Sequence, residues 1–346
     1  MLTISRVVRF LLIMLCTAAV MAAVSYGMLQ RYLDQPLSAA LENGQPDAEG
    51  IVITVPEGAG MNRIANLLAA EAGLRWPRVF SWWVRSQGLD RNIGNGEYAV
   101  TPGMTPRSLL RLLMFGRNVQ YPATLIEGWT FQQALEFLWQ LDTVDKTLQG
   151  LAPPELSAAL QSPFPALEGS LFPDTYFHTR GTTDLQILRR AIQRLQQILA
   201  EEWQARDAGL PYGNQWQALT MASIIERESG YQAEKPEIAG VFVRRLQQGM
   251  RLQSDPTVIY GAGENYTGVI RRSDLDSTTP WNTYRISGLP PTPIALSGRD
   301  SINASLHPAA GTALYFVSRG DGSHQFSDTL EQHNAAVRQY LRPANE

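Results

Sequence analysis

The stretch MASIIERESGY, residues 221–231, is an apolar run that delivers two glutamates, Glu226 and Glu228, two positions apart. Leu219, Ala222, Ile224 and Ile225 cover most of a helical circumference, which predicts a largely buried helix. Asn214 is its expected N-cap and Gly230 its expected terminator. On a helix, side chains two residues apart point to nearly opposite faces, so the two carboxyls are not a pair sharing one site. Glu228 shares its face with Met221, Ile224 and Ile225 and stands in the last turn, where the helix dipole disfavours an anion. Apolar neighbours act in the same direction, raising the pKa toward what a general acid needs near neutrality. Glu226 backs onto Ala222 and Ser223 beside Arg227, and reads as a carboxylate bonded to a neighbouring segment, or a solvated one. On these grounds alone, an ordinary glutamate ending a helix explains Glu228 as well as a catalytic one does.

Outward from that helix, 346 residues allow two globular units with appendages. The balance of 29 Lys+Arg against 32 Asp+Glu, with no basic stripe interleaved with aromatics, argues against a nucleic-acid partner. Cys16 is the only cysteine, which excludes an intrachain disulfide and a cysteine-based metal site. Residues 10–30, FLLIMLCTAAVMAAVSYGMLQ, carry no charge and are long enough to cross roughly 30 Å of hydrocarbon as a helix. Arg6 and Arg9 precede the segment while Arg31 and Asp34 after it cancel, which keeps residues 1–9 cytoplasmic and exports the rest. A cleaved signal peptide using Ala23-Val24-Ser25, or a lipoprotein using Cys16 behind an unsuitably large Leu15, are the competing readings.

The expected fold class is α+β: an N-terminal single transmembrane helix, a small LysM-like subdomain, then a mixed α+β catalytic domain. Residues 31–50 read as a polar linker, rich in turn formers. Residues 51–118 give strand, helix, helix, strand and a closing helix, the outline of a small LysM-like βααβ subdomain. Trp76, Trp82 and Trp83 fall in it at helical spacing, and packing is the expected role of at least two. Residues 119–183 read as a connecting region, in which Glu168 and Asp174 are expected to be structural. Residues 184–346 open on a long helical pattern and continue as short strands, turns and small helices, a mixed α+β catalytic domain.

Several kinds of chemistry drop out. There is no G-x-S-x-G, S-x-x-K or H-E-x-x-H, and the glycines of GNGEYA and GAGENY match neither a P-loop nor a dinucleotide fingerprint. His178, His307, His324 and His333 are scattered, and His333 is expected to be a core or interdomain contact in a C-terminal amphipathic helix. No cofactor and no metal is expected. Carboxylates and polar side chains remain, a set that suits glycosidic chemistry.

The phrase TMASIIERESGYQAEKPEIAGVFVRRLQQGMRLQSDPTVIYG resembles the signature region of the YceG-like endolytic murein transglycosylases. EGSLFPDTY, WNTYRISGLPPTPI, HPA, LYFV and HQFSDTLEQHNAAV follow that family's motifs, so the similarity spans about residues 50–342. The resemblance implies an inner-membrane anchor, a LysM-like subdomain and a catalytic domain in the periplasm. It also implies cleavage of the β-1,4 bond between N-acetylmuramic acid and N-acetylglucosamine within peptidoglycan strands, without water, leaving 1,6-anhydro ends. It puts the essential glutamate at Glu228, with Ser229 where a threonine is commoner. Work on nascent strands beside penicillin-binding synthases follows by analogy only.

One carboxyl suffices for that reaction because the substrate supplies the nucleophile, whereas hydrolytic glycosidases use two. Candidate sugar-binding residues are Gln253, Asp255, Thr257 and Tyr260 in one loop and Asn282 and Tyr284 in another. Asp255 followed by a proline also reads as a helix N-cap. The rival readings are a non-catalytic wall-binding scaffold and a hydrolytic muramidase.

Overall fold

Alternation in IVITV sends Ile53 and Val55 inward from strand β1 (Ile51–Val55). β1 pairs antiparallel with β2 (Gly96–Val100), from Ile51 opposite Val100 to Val55 opposite Gly96. In the computed structural model, which describes residues 2–37 and 50–341, this strand pair belongs to the first of two units, Met1–Tyr121 and Pro122–Glu346. Most of the expected linker, residues 38–49, lies outside the described residues, as do 342–346.

The first unit begins with α1 (Leu2–Leu33), of which Arg6–Leu33 is long and apolar enough to cross a membrane, with a mean hydropathy of 2.4. Its residues from Val7 to Met28 present large exposed apolar side chains, while Tyr32 and Leu33 are buried. Helices α2 (Met61–Glu71), α3 (Pro77–Ser86) and α4 (Pro106–Phe115) complete the unit. Pro77 and Pro106 stand in first turns, where their missing N–H has no helical partner to lose. Ile53, Ile64, Leu68, Phe80, Val84, Leu109 and Leu113 form the core. The tryptophans depart from expectation: Trp83 is buried, but Trp76 and Trp82 are 60% and 62% exposed. The inward stripe of α3 is Phe80, Trp83 and Val84, which leaves Trp82 on the opposite face. Trp76 precedes the helix in a left-handed conformation (φ 51°) and meets the Tyr32 ring at 5.2 Å between centroids.

In the second unit, β3 (Tyr121–Thr124) pairs with β5 (Thr175–His178), and β4 (Val144–Asp145) runs parallel to β6 (Thr182–Thr183). Helices α5 (Phe131–Gln140) and α6 (Pro153–Leu160) lie between these strands in sequence. This region shares a core with α7 (Asp184–Ala205), built on Leu135, Leu138, Leu171, Ile187, Leu188 and Ala191. Asp184 locks the two together. Fully buried, its carboxyl accepts from Trp139 Nε1, Thr147 N and Oγ1, Leu148 N and Leu185 N at 2.6–3.0 Å. A buried carboxylate is tolerated because its lone pairs are filled.

The larger core joins α7 to α8 (Gln215–Glu228), α9 (Lys235–Gln247) and α12 (Arg299–Leu306). Helix α8 is its centre: residues 218–225 are all buried, and each large apolar side chain removed from water contributes about 1.5–3 kcal/mol. Asn214 caps it, accepting from Gln217 N at 3.0 Å. Helix α8 ends at Glu228 because Ser229 is extended (φ −143°), so the stop comes one residue before the expected glycine. In α9, Gly240 is required by close approach, since a Cβ there would lie 2.5 Å from Ala309 O. The small helices α10 (Asp255–Ala262) and α11 (Arg272–Asp276), the hairpin β7 (Tyr315–Ser318) with β8 (His324–Ser327), and α13 (Leu330–Tyr340) complete the unit.

Candidate active site

The last turn of α8 sends three consecutive charged side chains to three places. Glu226 turns inward: Oε1 takes Lys235 Nζ at 3.0 Å, while Oε2 takes Gly298 N at 2.9 Å and Ser301 Oγ at 2.7 Å. Both partners of this ion pair are buried, so it ties α8 to α9 and α12. Arg227 is exposed and spends an Nη1 donor on Gly128 O at 3.0 Å. Glu228 lines a cleft of about 540 Å³.

Burial is the largest influence on the Glu228 carboxyl and pushes its pKa up to about 7. The negative charge of Asp255 acts in the same direction, while the Ser254 hydroxyl and the Arg245 guanidinium oppose the rise. Ser254 Oγ donates to Glu228 Oε1 at 2.5 Å. This fixes one of the two carboxyl oxygens. Ser254 is the N-cap of α10, yet its hydroxyl makes no capping bond because it is spent on Glu228. Thr283 Oγ1 instead takes Ser254 N, at 2.9 Å.

The six expected sugar-binding residues separate into three groups. Gln253, Asp255 and Tyr284 line the Glu228 cleft. Asp255 is the first residue of α10 rather than its cap, and its Oδ1 accepts the Tyr284 hydroxyl at 2.6 Å. Burial and that bond raise the pKa of the Tyr284 phenol. Gln253 is held in the left-handed region (φ 52°), a strained conformation for a side-chain-bearing residue that recurs at functional sites. Thr257 and Asn282 do not face the cleft; both are fully buried. Thr257 Oγ1 bonds Ser254 O and Thr283 Oγ1, and Asn282 Nδ2 clamps the carbonyls of Asp274, Leu275 and Ser277. They set the two loops rather than meet a ligand. Tyr260 lines a different cleft, with its hydroxyl on Glu168 Oε2 at 3.3 Å.

Four polar or aromatic residues that the sequence does not place at the site also reach the cleft. Arg245, Tyr315, His324 and His333 line the Glu228 cleft, so His333 is a cleft residue and not simply core. Arg245 is buried and pinned by Leu314 O at 2.6 Å and Leu252 O at 2.7 Å, with its guanidinium 5.1 Å from the Tyr315 ring centroid. His333 stacks on the other partner of that contact, Tyr315, at 5.3 Å, and burial together with Arg245 lowers its pKa. His324 pairs with Glu234, Nδ1 to Oε2 at 2.8 Å. Arg245 left a trace in the sequence: it follows Ile238 and Phe242 at helical spacing, a cation on the apolar face of α9. The hairpin residues left none, because only tertiary folding brings them to Glu228.

The ends of α8 and α9, the start of α10 and a C-terminal hairpin thus surround one enclosed, protonatable glutamate, the makings of a general-acid cleft on a mixed α+β frame. The chain belongs to the YceG-like family, whose model matches residues 53–339. It is 30% identical over 324 residues to the endolytic murein transglycosylase of Bacillus subtilis, covering 88% of this chain and 89% of that one. It is 24% identical over 371 residues to the endolytic murein transglycosylase of Streptococcus pneumoniae, covering 97% of this chain and 66% of the relative. The crystal structure of a YceG-like protein from Listeria monocytogenes superposes with a TM-score of 0.50 at 28% identity, covering 83% of this chain and 98% of that one.

Proposed function

We propose that this protein is an endolytic murein transglycosylase in which Glu228 is the only acid–base catalyst. The observation that carries the reading is the state of that carboxyl: enclosed, fixed through one oxygen by Ser254, and shifted to about 7. Near neutrality such a group is present in both forms, so it can give a proton and take one back. Protonated Glu228 donates to the glycosidic oxygen as the muramoyl C1–O bond breaks. The muramoyl C6 hydroxyl attacks C1 and gives its proton to the same carboxyl, leaving a 1,6-anhydro end and the regenerated acid. No water enters, and the intramolecular attack has the advantage of high effective concentration. Arg245 stands beside the carboxyl as a donor for sugar hydroxyl and N-acetyl oxygens, and the Tyr284 oxygen, whose proton is on Asp255, as an acceptor for a sugar hydroxyl.

In this reading α1 anchors the chain in the inner membrane with residues 1–9 cytoplasmic, and the remainder works on the periplasmic side. The small βααβ unit serves as a LysM-like glycan grip, and the exposed Trp82 beside Asn62, Asn66 and Arg85 gives it a surface for sugar. Cutting nascent strands next to penicillin-binding synthases is the cellular role that fits an anchored endolytic enzyme.

Asp255 favours a second reading. It lines the same cleft, and its charge raises the Glu228 pKa, so a two-carboxylate muramidase has both groups it needs. Mass spectrometry of fragments released from purified sacculi decides between them. Anhydro ends, one water lighter than reducing ends, are expected. An Asp255→Asn variant is expected to keep making them, with a lower Glu228 pKa. Reducing ends, lost in Asp255→Asn, would establish the muramidase; no fragments at all would leave a binding scaffold.

A further inference from the structure

The second cleft, of about 640 Å³, is lined among others by Thr130, Gln132, Glu168, Arg227, Tyr260 and Trp281. Its volume is within the roughly 300–1,000 Å³ usual for ligand sites. It shares two walls with the first. Arg227 faces one cleft and Glu228 the other; Asp255 faces one and Pro256 the other. Both clefts are thus walled by the same two chain segments, the end of α8 and the start of α10.

The chemistry of this second cleft is that of a saccharide site. Trp281 and Tyr260 meet edge to face with centroids 5.5 Å apart and are only partly buried, which leaves aromatic surface for a sugar ring. Trp281 Nε1 is spent on Thr292 Oγ1 at 2.9 Å, which fixes the indole plane. Glu168 Oε1 is taken by Phe131 N and Gly169 N, whereas Oε2, among the described residues, takes only the long bond from Tyr260, leaving it able to accept a hydroxyl. Gln132 is exposed; its Nε2 donates to Glu136 Oε1 at 2.8 Å, and its amide oxygen can accept a sugar hydroxyl. Arg227 keeps donors beyond its bond to Gly128, a fit for the carboxylate of a muramoyl peptide.

We propose that this second cleft holds further saccharide units of the same glycan strand, continuing past those bound beside Glu228. The inference rests on the transglycosylase reading and deepens it: a strand running through two adjoining clefts is gripped in its interior rather than at its end.

The test uses full-length Glu228→Gln protein, which binds without cutting, and alternating muramoyl–glucosaminyl oligosaccharides from tetrasaccharide to octasaccharide. Affinity is expected to rise at least about tenfold with length, equivalent to about 1.4 kcal/mol. Adding Arg227→Gln and Gln132→Ala, both exposed side chains, is expected to abolish that rise. Trp281→Phe, which keeps a ring against the core, is expected to reduce it. A rise that survives all three substitutions overturns the proposal, and so does an affinity independent of length. Binding of no oligosaccharide, together with no product from the wild type, would instead bring down the transglycosylase reading itself.

Discussion

Glu226 and Glu228 sit two residues apart on one buried helix and meet opposite surroundings. Glu226 is met by an ammonium, a backbone N–H and a hydroxyl, the full set a buried carboxylate requires. Glu228 is met by one hydroxyl, with a second carboxylate nearby and a cleft in front. Burial is common to both; the supply of donors is what differs. A carboxylate with its lone pairs filled is a strut, whereas one left short of donors keeps its proton near neutrality.

Removing the proton carrier should produce the largest effect. Glu228→Gln is expected to lower the rate of fragment release by about 10²–10⁴-fold, read as anhydro-ended products, with the fold intact. If Glu228→Gln stays active and Glu226→Gln is dead in its folded form, the comparison is reversed. Glu226→Gln should act on stability instead, because it leaves Lys235 buried and unpaired; breaking such a pair costs about 3–5 kcal/mol. Thermal unfolding should show a drop of several degrees, with specific activity of the folded protein retained.

pH sharpens the same contrast. Glu228 is raised from 4.5 to about 7, so the folded state binds its proton more tightly than the unfolded state does. Stability therefore falls as pH climbs from about 4.5 to 7, by up to about 3 kcal/mol from this group, and Glu228→Gln should be free of that loss. Activity should decline as pH rises through about 7, where the general acid empties. Ser254→Ala is the smallest perturbation. It removes a donor that favours the carboxylate, so this alkaline limb should move to higher pH, with a rate loss of about tenfold, the scale of one charge-assisted hydrogen bond. A limb that moves to lower pH would show that Ser254 holds the protonated form.

Much of this was legible in the chain itself. Local patterns fixed the elements: alternation in IVITV, 3.6-residue spacing in α8, and prolines in first turns. Spacing of two on a helix was enough to send Glu226 and Glu228 to different surroundings, because that geometry is local. Trp82 went astray for a related reason. Helical spacing says which residues share a face, but Phe80 and Val84 decide which face turns inward.

The site divides along the same line. Apolar neighbours and the helix end were enough to anticipate a raised pKa at Glu228. Loop residues were another matter: Gln253, Asp255 and Tyr284 reach the cleft, while the equally polar Thr257 and Asn282 are consumed holding the loops that present them. Arg245, Tyr315 and His333 arrive from segments far along the chain. Sequence alone determined the helix, its apolar face and the glutamate that ends it, since these depend on contacts within one or two turns. Only the tertiary structure decided which donors reach each carboxyl and which residues wall the two clefts, because those contacts join positions that chain spacing leaves unrelated.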